Sequence, residues 1–200
     1  MGRLTINTEK TSHIILVSAI ILLISSLFMP LVLVYLIQDY LYLSHDKWFY
    51  VTPPSAYIIF MMGMVWIAIV LLIHLIIKWK FDFRFSGWIT LFLMLGSIPF
   101  FMFGVSNYYY MDEEGLHFNE EKSFNAIQSY KWEEIKKAEE IFVKNDNGTT
   151  VLDQYRFTTM DGYVIDLPYD SKVQSNKFRI LEKLQENKIP LTSNMGDLYE

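Results

Sequence analysis

The 200-residue sequence contains no cysteine. The chain therefore forms no disulfide and offers neither a thiol nucleophile nor a thiolate ligand for a metal. Charged residues are also scarce, at 20% of the chain, whereas 52% of the residues are hydrophobic. This balance is too apolar for an ordinary soluble domain of this length, so we expect a membrane protein.

The charges are divided unevenly between two parts of the chain. Residues 1–106 contain six basic and four acidic residues, whereas residues 107–200 contain 11 basic and 18 acidic residues. The first part is weakly basic and the second has a formal net charge of −7. We therefore expect two unlike regions, one in the membrane and one outside it.

Three apolar runs in the first part contain no Asp, Glu, Lys or Arg, at about 14–37, 57–77 and 87–105. A membrane-spanning helix needs about 20 apolar residues to cross a hydrocarbon core of roughly 30 Å. The first run is much longer than the roughly 7 to 15 apolar residues of a cleaved signal peptide, and no small-residue cleavage site follows it. The sequence thus predicts three membrane helices within residues 14–105, preceded by an N-terminal tail at 1–13.

Proline and histidine are the unusual residues inside these runs. Pro30 and Pro99 each remove a backbone donor, so we expect a kink at each. His74 is the one ionisable side chain, and we expect an interfacial or helix-bonded histidine because no acidic partner accompanies it. Ion-coupled transporters place charged groups at membrane depth, so transport by this chain alone is disfavoured.

The basic residues near the ends of the runs predict the orientation in the membrane. On one side lie the basic residues of the tail and of the second loop, Arg3, Lys10, Lys78, Lys80 and Arg84. The other side has Lys47 and, further along the chain, Lys122. Because basic loops stay in the cytoplasm, we expect a cytoplasmic N-terminus and an extracellular C-terminal domain at the plasma membrane. A first run that failed to cross would invert this orientation.

Short strands separated by turns predict a different fold after residue 106. The expected strands lie at 108–111, 116–119, 138–144, 149–159 and 163–167, with a further irregular one within 123–132. We expect turns at three places, which are Gly115, for which we expect a positive φ, Asn145–Gly148 and Asp161-Gly162. An amphipathic helix follows, with Asp170 or Ser171 as its N-cap, and it ends before Pro190.

Three motifs within residues 106–190 carry a family resemblance. They are Tyr110-x-x-x-Glu114-Gly115-Leu116, then Tyr130-Lys131-Trp132-Glu133-Glu134-Ile135, and finally Ile165-Asp166-Leu167-Pro168. They resemble the bacterial PH-like domains, and most closely those of the YcxB-like membrane proteins, in which two membrane helices rather than three precede such a domain. The resemblance implies an α+β domain, a curved antiparallel sheet or partly open barrel capped by one C-terminal helix, with residues 191–200 as a tail. A related group with an anchored PH-like domain includes proteins that give immunity to bacteriocins.

Several patterns that suggest catalysis or metal binding have a simpler interpretation. His117 is close in sequence to four glutamates, Glu113, Glu114, Glu120 and Glu121. In a strand only alternate residues share a face, so we interpret these residues as a solvated acidic hairpin and not as a metal site. The same rule separates the neighbours in the pairs Glu133-Glu134 and Glu139-Glu140. We find no Ser-His-acid arrangement and no phosphate-binding loop in the sequence.

We therefore predict no catalytic, cofactor-binding or metal-binding residue, and no enzyme. A membrane-embedded enzyme would have only His74 and His45 with Asp46 for its chemistry. We expect Trp132 and Tyr130 to belong to the domain core.

The acidic domain also narrows the choice of partner. Phosphoinositides and nucleic acids need basic surfaces, and Lys136-Lys137 is the one adjacent basic pair after residue 106. An acidic field attracts cationic peptides, although such a charge also simply keeps a small domain soluble. We expect a multi-pass bacterial plasma-membrane protein with a non-enzymatic binding or regulatory domain, which recognises a peptide or another membrane protein, as in bacteriocin immunity. The alternative is an accessory subunit of a membrane transport complex.

Overall fold

A computed structural model describes residues 8–42, 47–80, 85–119 and 127–198 of the chain. The helices are α1 (Thr8–Ser25), α2 (Met29–Tyr42), α3 (Pro54–Lys80), α4 (Ser86–Leu95), α5 (Ile98–Ser106) and α6 (Ser171–Glu186). The strands are β1 (Phe49–Val51), β2 (Tyr109–Met111), β3 (Gly115–Asn119), β4 (Ile127–Lys131), β5 (Ile135–Lys144), β6 (Thr150–Thr159), β7 (Val164–Pro168) and β8 (Leu191–Ser193). The chain divides into a helical unit, built from α1 to α5, and an α+β unit, built from the strands and α6.

Two stretches of the helical unit, Pro54–Lys80 and Ser86–Ser106, are long and apolar enough to cross a membrane. They correspond to the runs predicted at 57–77 and 87–105. The second stretch is divided into α4 and α5 at Gly96 and Ser97, and Pro99 lies in the first turn of α5. A proline is tolerated there because the first N–H groups of a helix have no intrahelical acceptor.

The first apolar run differs from its prediction. Instead of one helix at 14–37 with a kink at Pro30, the structure has α1 and α2 at 75° to each other, with a break at residues 26–28. Pro30 explains the break, since it has no N–H and its ring would clash with the carbonyl of residue 26 in a continuous helix. The chain therefore has two helical stretches that can cross a membrane, or three if the bent pair forms one span. α1 begins at Thr8, within the tail predicted at 1–13.

Two glycines allow α3 and α5 to approach closely. A Cβ atom at Gly104 would lie 2.9 Å from the Ala56 carbonyl oxygen and 3.0 Å from Phe60. At Gly63 it would lie 2.8 Å from the ring of Phe101. Small residues are typical of tightly packed membrane helices, where packing replaces the hydrophobic effect.

A buried glutamine, which the sequence analysis did not single out, links three segments of the helical unit. The Gln38 side-chain amide donates to the carbonyl oxygens of Val105 at 2.9 Å and Asn107 at 3.2 Å. The Thr52 hydroxyl donates to the amide oxygen of Gln38, and the Asn107 amide donates to Ser55 at 2.9 Å. These bonds satisfy backbone groups at the C-terminal end of α5.

The α+β unit contains two four-stranded sheets, ordered β1-β2-β3-β4 and β7-β6-β5-β8, and neither is closed into a barrel. β1 was not predicted, because it comes from the segment between α2 and α3, where we expected only the loop between the first two membrane helices. It pairs antiparallel with β2, placing Phe49 opposite Met111 and Val51 opposite Tyr109. Phe49 and Val51 are buried in the core of this unit. A strand of three residues is too short for an alternation of apolar and polar residues to be recognised in the sequence.

The remaining strands largely agree with the sequence. The turns before β6 and β7 lie where the sequence predicted them, and they contain Gly148 and Gly162, both with positive φ. β5 begins at Ile135, three residues before the predicted start, and the C-terminal tail predicted at 191–200 contains β8, which pairs parallel with β5. The sequence indicated only antiparallel strands.

Gly115 has a different role from the one predicted. Its φ is not positive, and a Cβ atom there would lie 2.0 Å from the carbonyl oxygen of Tyr130. Glycine is needed because β3 and β4 approach closely at this position.

The core of the α+β unit lies between the sheets and α6. The Asp170 carboxylate accepts a hydrogen bond from the Val173 N–H at 2.8 Å, which confirms the predicted N-cap. Val173, Ile180 and Leu184 of α6 are buried in the same cluster as Trp132. Trp132 is therefore in the core as predicted, whereas Tyr130 is only partly buried and packs against this cluster.

Candidate functional site

An open groove of about 400 Å³ lies on the α+β unit, between edge strand β4 and the turn that joins β6 to β7. It is lined by Ser129, Tyr130, Glu134, Thr159, Met160 and Asp161. We call this feature the β4 groove. It combines aromatic, apolar and acidic side chains, which is typical of surfaces that recognise other molecules.

One residue that lines the β4 groove, Tyr130, is stacked on a second tyrosine ring. The rings of Tyr130 and Tyr163 are stacked, with centroids 5.5 Å apart and planes inclined by 12°. The Tyr130 hydroxyl donates to the side-chain oxygen of Gln128 at 3.0 Å. Met160 is 67% exposed at the end of the groove. An exposed methionine beside stacked rings provides an adaptable apolar surface.

Two carboxylates, from Asp161 and Glu134, lie in the same groove. The Thr159 hydroxyl donates to Asp161, and this bond is the main cause of the lowered pKa of that carboxyl group. Glu134 accepts from the Lys131 N–H at 2.9 Å. The six side chains that line the groove among the described residues include these two acids and no basic group. The described part of the groove lining is therefore acidic.

The sequence predicted that Glu133 and Glu134 lie on a strand and point to opposite sides. They lie instead in a short 3-10 turn, Trp132–Glu134, and both are exposed. Trp132 is buried at this turn, and its indole N–H donates to the Asp112 carbonyl oxygen at 3.2 Å. The buried tryptophan holds the turn on the domain surface, which places Glu134 at the groove.

Ser129, His117 and Asp112 form a hydrogen-bonded chain that the sequence analysis did not find. Ser129 Oγ is 2.8 Å from His117 Nδ1, and His117 Nε2 is 3.0 Å from Asp112 Oδ1. His117 is only 7% exposed, so the predicted solvated hairpin is wrong for this residue. Because β3 and β4 are neighbours, register brings together residues that are 12 positions apart.

The geometry of this chain of bonds favours a structural role. Asp112 Oδ1 also accepts the N–H groups of Glu114 and Gly115, at 2.9 and 3.1 Å, and so stabilises the β2–β3 turn. A carboxylate oxygen only accepts, so His117 Nε2 carries a proton and, in the neutral ring, Nδ1 accepts from Ser129. In Ser-His-Asp hydrolases the serine bonds to Nε2 of the histidine and the aspartate bonds to Nδ1, which is the reverse of the arrangement here.

A stack of side chains covers His117. Its ring lies on that of Tyr110, with centroids 4.4 Å apart and planes inclined by 11°. The Lys47 ammonium group is 4.1 Å from the centroid of the Tyr110 ring. Burial is the main cause both of the raised pKa of Tyr110 and of the lowered pKa of Lys47. The stack shields His117 from solvent.

Of the four glutamates considered as metal ligands, Glu113 is engaged by two basic residues. Glu113 is paired with Arg179 at 2.9 Å and with Lys183 at 2.6 Å, and both pairs lower the pKa of Glu113. Glu120 and Glu121 lie outside the described residues. Among the described residues, no three His, Asp or Glu side chains are grouped so that they could hold a metal ion.

The second acidic pair, Glu139 and Glu140, forms separate contacts. Glu139 is 3.0 Å from Lys137, and Glu140 is 3.4 Å from Lys177 and accepts from the Tyr155 hydroxyl at 2.9 Å. Lys137, from the pair Lys136-Lys137, is thus engaged with an acid. These residues do not converge on one site.

In the helical unit, His74 contacts a side chain of a neighbouring helix. His74 Nδ1 is 2.7 Å from the Thr90 hydroxyl, which links α3 to α4 and fits the predicted helix-bonded histidine. His45 and Asp46 lie outside the described residues, as do Arg3, Arg84 and Lys122, which entered the orientation argument.

The sequence contained only part of the signal for the β4 groove. The Asp161-Gly162 turn and the motif around Trp132 were recognised, whereas the contact between Tyr130 and Tyr163 depends on how two separate sheets are arranged.

Comparisons with protein-family models, with curated proteins and with solved structures give no match for this chain. Its function is therefore argued from the residues of the groove and from the sequence of the two units.

Proposed function

We propose that the chain is a multi-pass bacterial plasma-membrane protein whose C-terminal domain is a PH-like, non-enzymatic binding or regulatory module. The two or three candidate membrane spans support the membrane location. The lack of charged residues in the apolar runs favours an anchor over a transporter. The domain then acts by binding a partner at the membrane surface.

The order of elements supports a PH-like domain. A four-stranded sheet is followed by three consecutive antiparallel strands, β5 to β7, and then by the amphipathic helix α6. This order agrees with the one implied by the resemblance to bacterial PH-like domains. Two features are additional here, since β1 comes from between the membrane helices and β8 extends the second sheet.

The pairing of β1 with β2 supports an extracellular domain. The two strands belong to one sheet, so the segment between α2 and α3 lies on the same side of the membrane as the C-terminal domain. Two crossings, by α3 and by α4 with α5, connect them. The basic residues Lys78 and Lys80 lie at the opposite end of α3 and favour the cytoplasm for that end. If the bent pair α1–α2 crosses as one span, the N-terminus is also cytoplasmic.

The β4 groove is the observation that carries the binding role. It is open and combines the Tyr130 ring with two acids, whereas His117 is buried and Asp112 is occupied by the β2–β3 turn. Recognition of a peptide or of another membrane protein therefore fits the domain better than catalysis. Immunity to a peptide or bacteriocin is one biological form of such a role.

Deletion of the gene tests this proposal. Cells without the protein are challenged with a panel of cationic antimicrobial peptides and bacteriocins, with a strain that carries the gene on a plasmid as the control. Immunity is supported if the deletion strain is more sensitive to particular peptides and the gene on the plasmid restores resistance to them. Unchanged sensitivity to all of them contradicts it.

An accessory role in a transport complex is the second candidate. The helical unit exposes large apolar side chains, with Trp79, Trp88 and Phe92 each more than 70% exposed, and these can contact a membrane partner as well as lipid. Co-purification of a transporter with the full-length protein from membranes would favour this function over immunity.

A further inference from the structure

We propose that a small pocket between α3 and α4 binds the headgroup of a phospholipid that carries a terminal hydrogen-bond donor, as ethanolamine and glycerol headgroups do. The terminal ammonium or hydroxyl group donates to Nε2 of His74, and Lys78 holds the phosphate. The proposal rests on the membrane location of α3. It does not depend on the binding role of the C-terminal domain or on the side of the membrane where that domain lies.

The pocket lies within the helical unit and combines polar and apolar lining. Its volume is about 30 Å³, which holds one water molecule or a group of similar size, such as a hydroxyl or an ammonium group. The polar part of the lining consists of His74 on α3 and of Ser86 and Thr90 on α4, and five aliphatic side chains form the rest. Among the described residues no carboxylate lines this pocket. It therefore suits one small polar group at the edge of an apolar surface.

The hydrogen bonds around Thr90 determine which nitrogen of His74 can accept. The Thr90 hydroxyl donates its single proton to the Ser86 carbonyl oxygen at 2.8 Å. The 2.7 Å contact between Thr90 Oγ1 and His74 Nδ1 is therefore made by a proton on Nδ1. In the neutral ring Nε2 then carries a lone pair, and no described residue donates a hydrogen bond to it. Because an acceptor without a donor is costly in apolar surroundings, a donor that enters the pocket is favoured.

The position of His74 along α3 favours a lipid headgroup as the source of this donor. His74 precedes Lys80, the last residue of α3, by six residues, which is about 9 Å along the helix axis. The headgroup layer extends roughly 5–7 Å beyond each face of the hydrocarbon core. Trp79 and Trp88, both strongly exposed near this end of α3 and α4, are typical of the same layer. A headgroup can thus reach Nε2 while its acyl chains stay in the hydrocarbon core.

Lys78 provides a positive charge one turn beyond the pocket. It follows His74 by four residues, so the two side chains share a face of α3 and their Cβ atoms are about 5–6 Å apart. This spacing is comparable to the separation between the phosphate and the terminal donor in ethanolamine and glycerol headgroups. Basic positions between membrane helices are typical sites for phospholipid headgroups. We therefore assign headgroup selectivity to His74 and attraction for any phosphate to Lys78.

The test compares lipids with identical acyl chains for binding to the delipidated full-length chain in maltoside detergent, measured by native mass spectrometry. Phosphatidylethanolamine and phosphatidylcholine have the same net charge, but only the first has a donor at the end of its headgroup. Phosphatidylglycerol and phosphatidylethanol form a second such pair, in which both lipids are anionic. We expect the lipid with the donor to bind about fivefold more tightly within each pair. A preference within one pair alone identifies that headgroup as the ligand.

Three variants separate the roles of the two side chains. His74→Phe removes the acceptor and is expected to abolish the preference within each pair. His13→Phe is the matched control, because it removes an exposed histidine of α1 that does not line the pocket, and it should leave the preference unchanged. Lys78→Gln should weaken the binding of all these lipids about fivefold and leave the preference intact.

Equal binding within both pairs by the unaltered chain would overturn the inference, and this result does not depend on whether His74→Phe folds. Binding that follows only the net charge of the lipid would overturn it as well, as would a preference that survives in His74→Phe. The deletion strain tests the proposed function separately, because its peptide sensitivity does not depend on which lipid binds at His74.

Discussion

His117 Nδ1 lies 2.8 Å from the hydroxyl oxygen of Ser129, and the same imidazole is held by Asp112 through its other nitrogen. The three side chains connect the β2–β3 turn to edge strand β4, which lines the groove. We interpret this chain of bonds as a support for the groove wall. The first predictions test that interpretation against a catalytic one.

Replacing the imidazole is expected to cost stability. His117→Leu leaves the partners of a buried side chain without their hydrogen bonds, and we expect it to lower the free energy of unfolding by about 1–3 kcal/mol. His117→Gln, whose amide can donate to Asp112, should recover part of this loss. Denaturant unfolding of the purified chain, followed by tryptophan fluorescence, provides the measurement. Equal stability of His117→Leu and the unaltered chain would contradict a structural role.

Ser129 is expected to be chemically unreactive. A serine activated by a histidine reacts with fluorophosphonate probes, whereas a serine that only donates to a buried imidazole does not. We predict no labelling of Ser129 and no hydrolysis of p-nitrophenyl esters above that of the Ser129→Ala variant. Labelling that disappears in both Ser129→Ala and His117→Gln would instead establish an enzyme.

The close approach of β3 to β4 predicts a strong effect at Gly115. Gly115→Ala would place a Cβ atom 2.0 Å from the Tyr130 carbonyl oxygen, so the strands must separate. We expect a loss of at least about 3 kcal/mol of unfolding free energy. Gly148→Ala is the matched control, because Gly148 has open space around it and only its positive φ is strained, at a cost of about 1 kcal/mol. The two midpoints of denaturation should therefore differ clearly, and similar midpoints would argue against the observed register.

Helix packing in the helical unit is tested at Gly104. Gly104→Leu would push against the backbone of α3 at Ala56, and we expect it to destabilise the helical unit by about 1–3 kcal/mol. Gly87→Leu adds the same side chain where no described residue lies within 4 Å and should have little effect. Thermal aggregation in detergent, followed by size-exclusion chromatography, compares the two. An equal loss of monodisperse protein in both variants would not fit the packing of α3 on α5.

The ion pairs of Glu113 predict a dependence of stability on pH. Arg179 and Lys183 lower the pKa of Glu113 below its ordinary value of 4.5. The stabilisation is thus fully present above that ordinary value and is lost as the pH falls through the lower pKa of the folded state. In Glu113→Gln the free energy of unfolding should fall less steeply at acidic pH than in the unaltered chain. In Glu182→Gln this acidic part of the curve should be unchanged. If the free energy of unfolding has the same pH dependence at acidic pH in all three proteins, these ion pairs do not contribute to the stability.

Local patterns allowed much of the fold to be predicted, and long-range pairing accounts for most of the errors. The spans at α3 and at α4 with α5, the hairpin turns and the Asp170 cap depend on neighbouring residues, which periodicity and turn chemistry reveal. β1 depends on a partner strand about 60 residues away, and β8 on an edge of β5. The bend before Pro30 was underestimated because a proline indicates a break but not its angle.

The candidate site could be predicted only in part, for the same reason. Asp161 and Glu134 were visible as members of a turn and of an acidic pair. Their position beside Tyr130 and Tyr163 requires edge strands from two sheets to lie close together, and no short motif encodes that arrangement. His117 was assigned to a solvated hairpin because its partner, Ser129, lies on another strand.

The side of the membrane on which the domain lies is the central claim, and the absence of cysteine makes it directly measurable. Single cysteines are introduced as Leu43→Cys, Phe83→Cys and Tyr199→Cys, and intact cells are treated with a membrane-impermeant maleimide. We predict labelling at positions 43 and 199 and protection at position 83 until the cells are lysed. Protection at 199 with labelling at 83 would place the domain in the cytoplasm and would contradict recognition of an extracellular peptide.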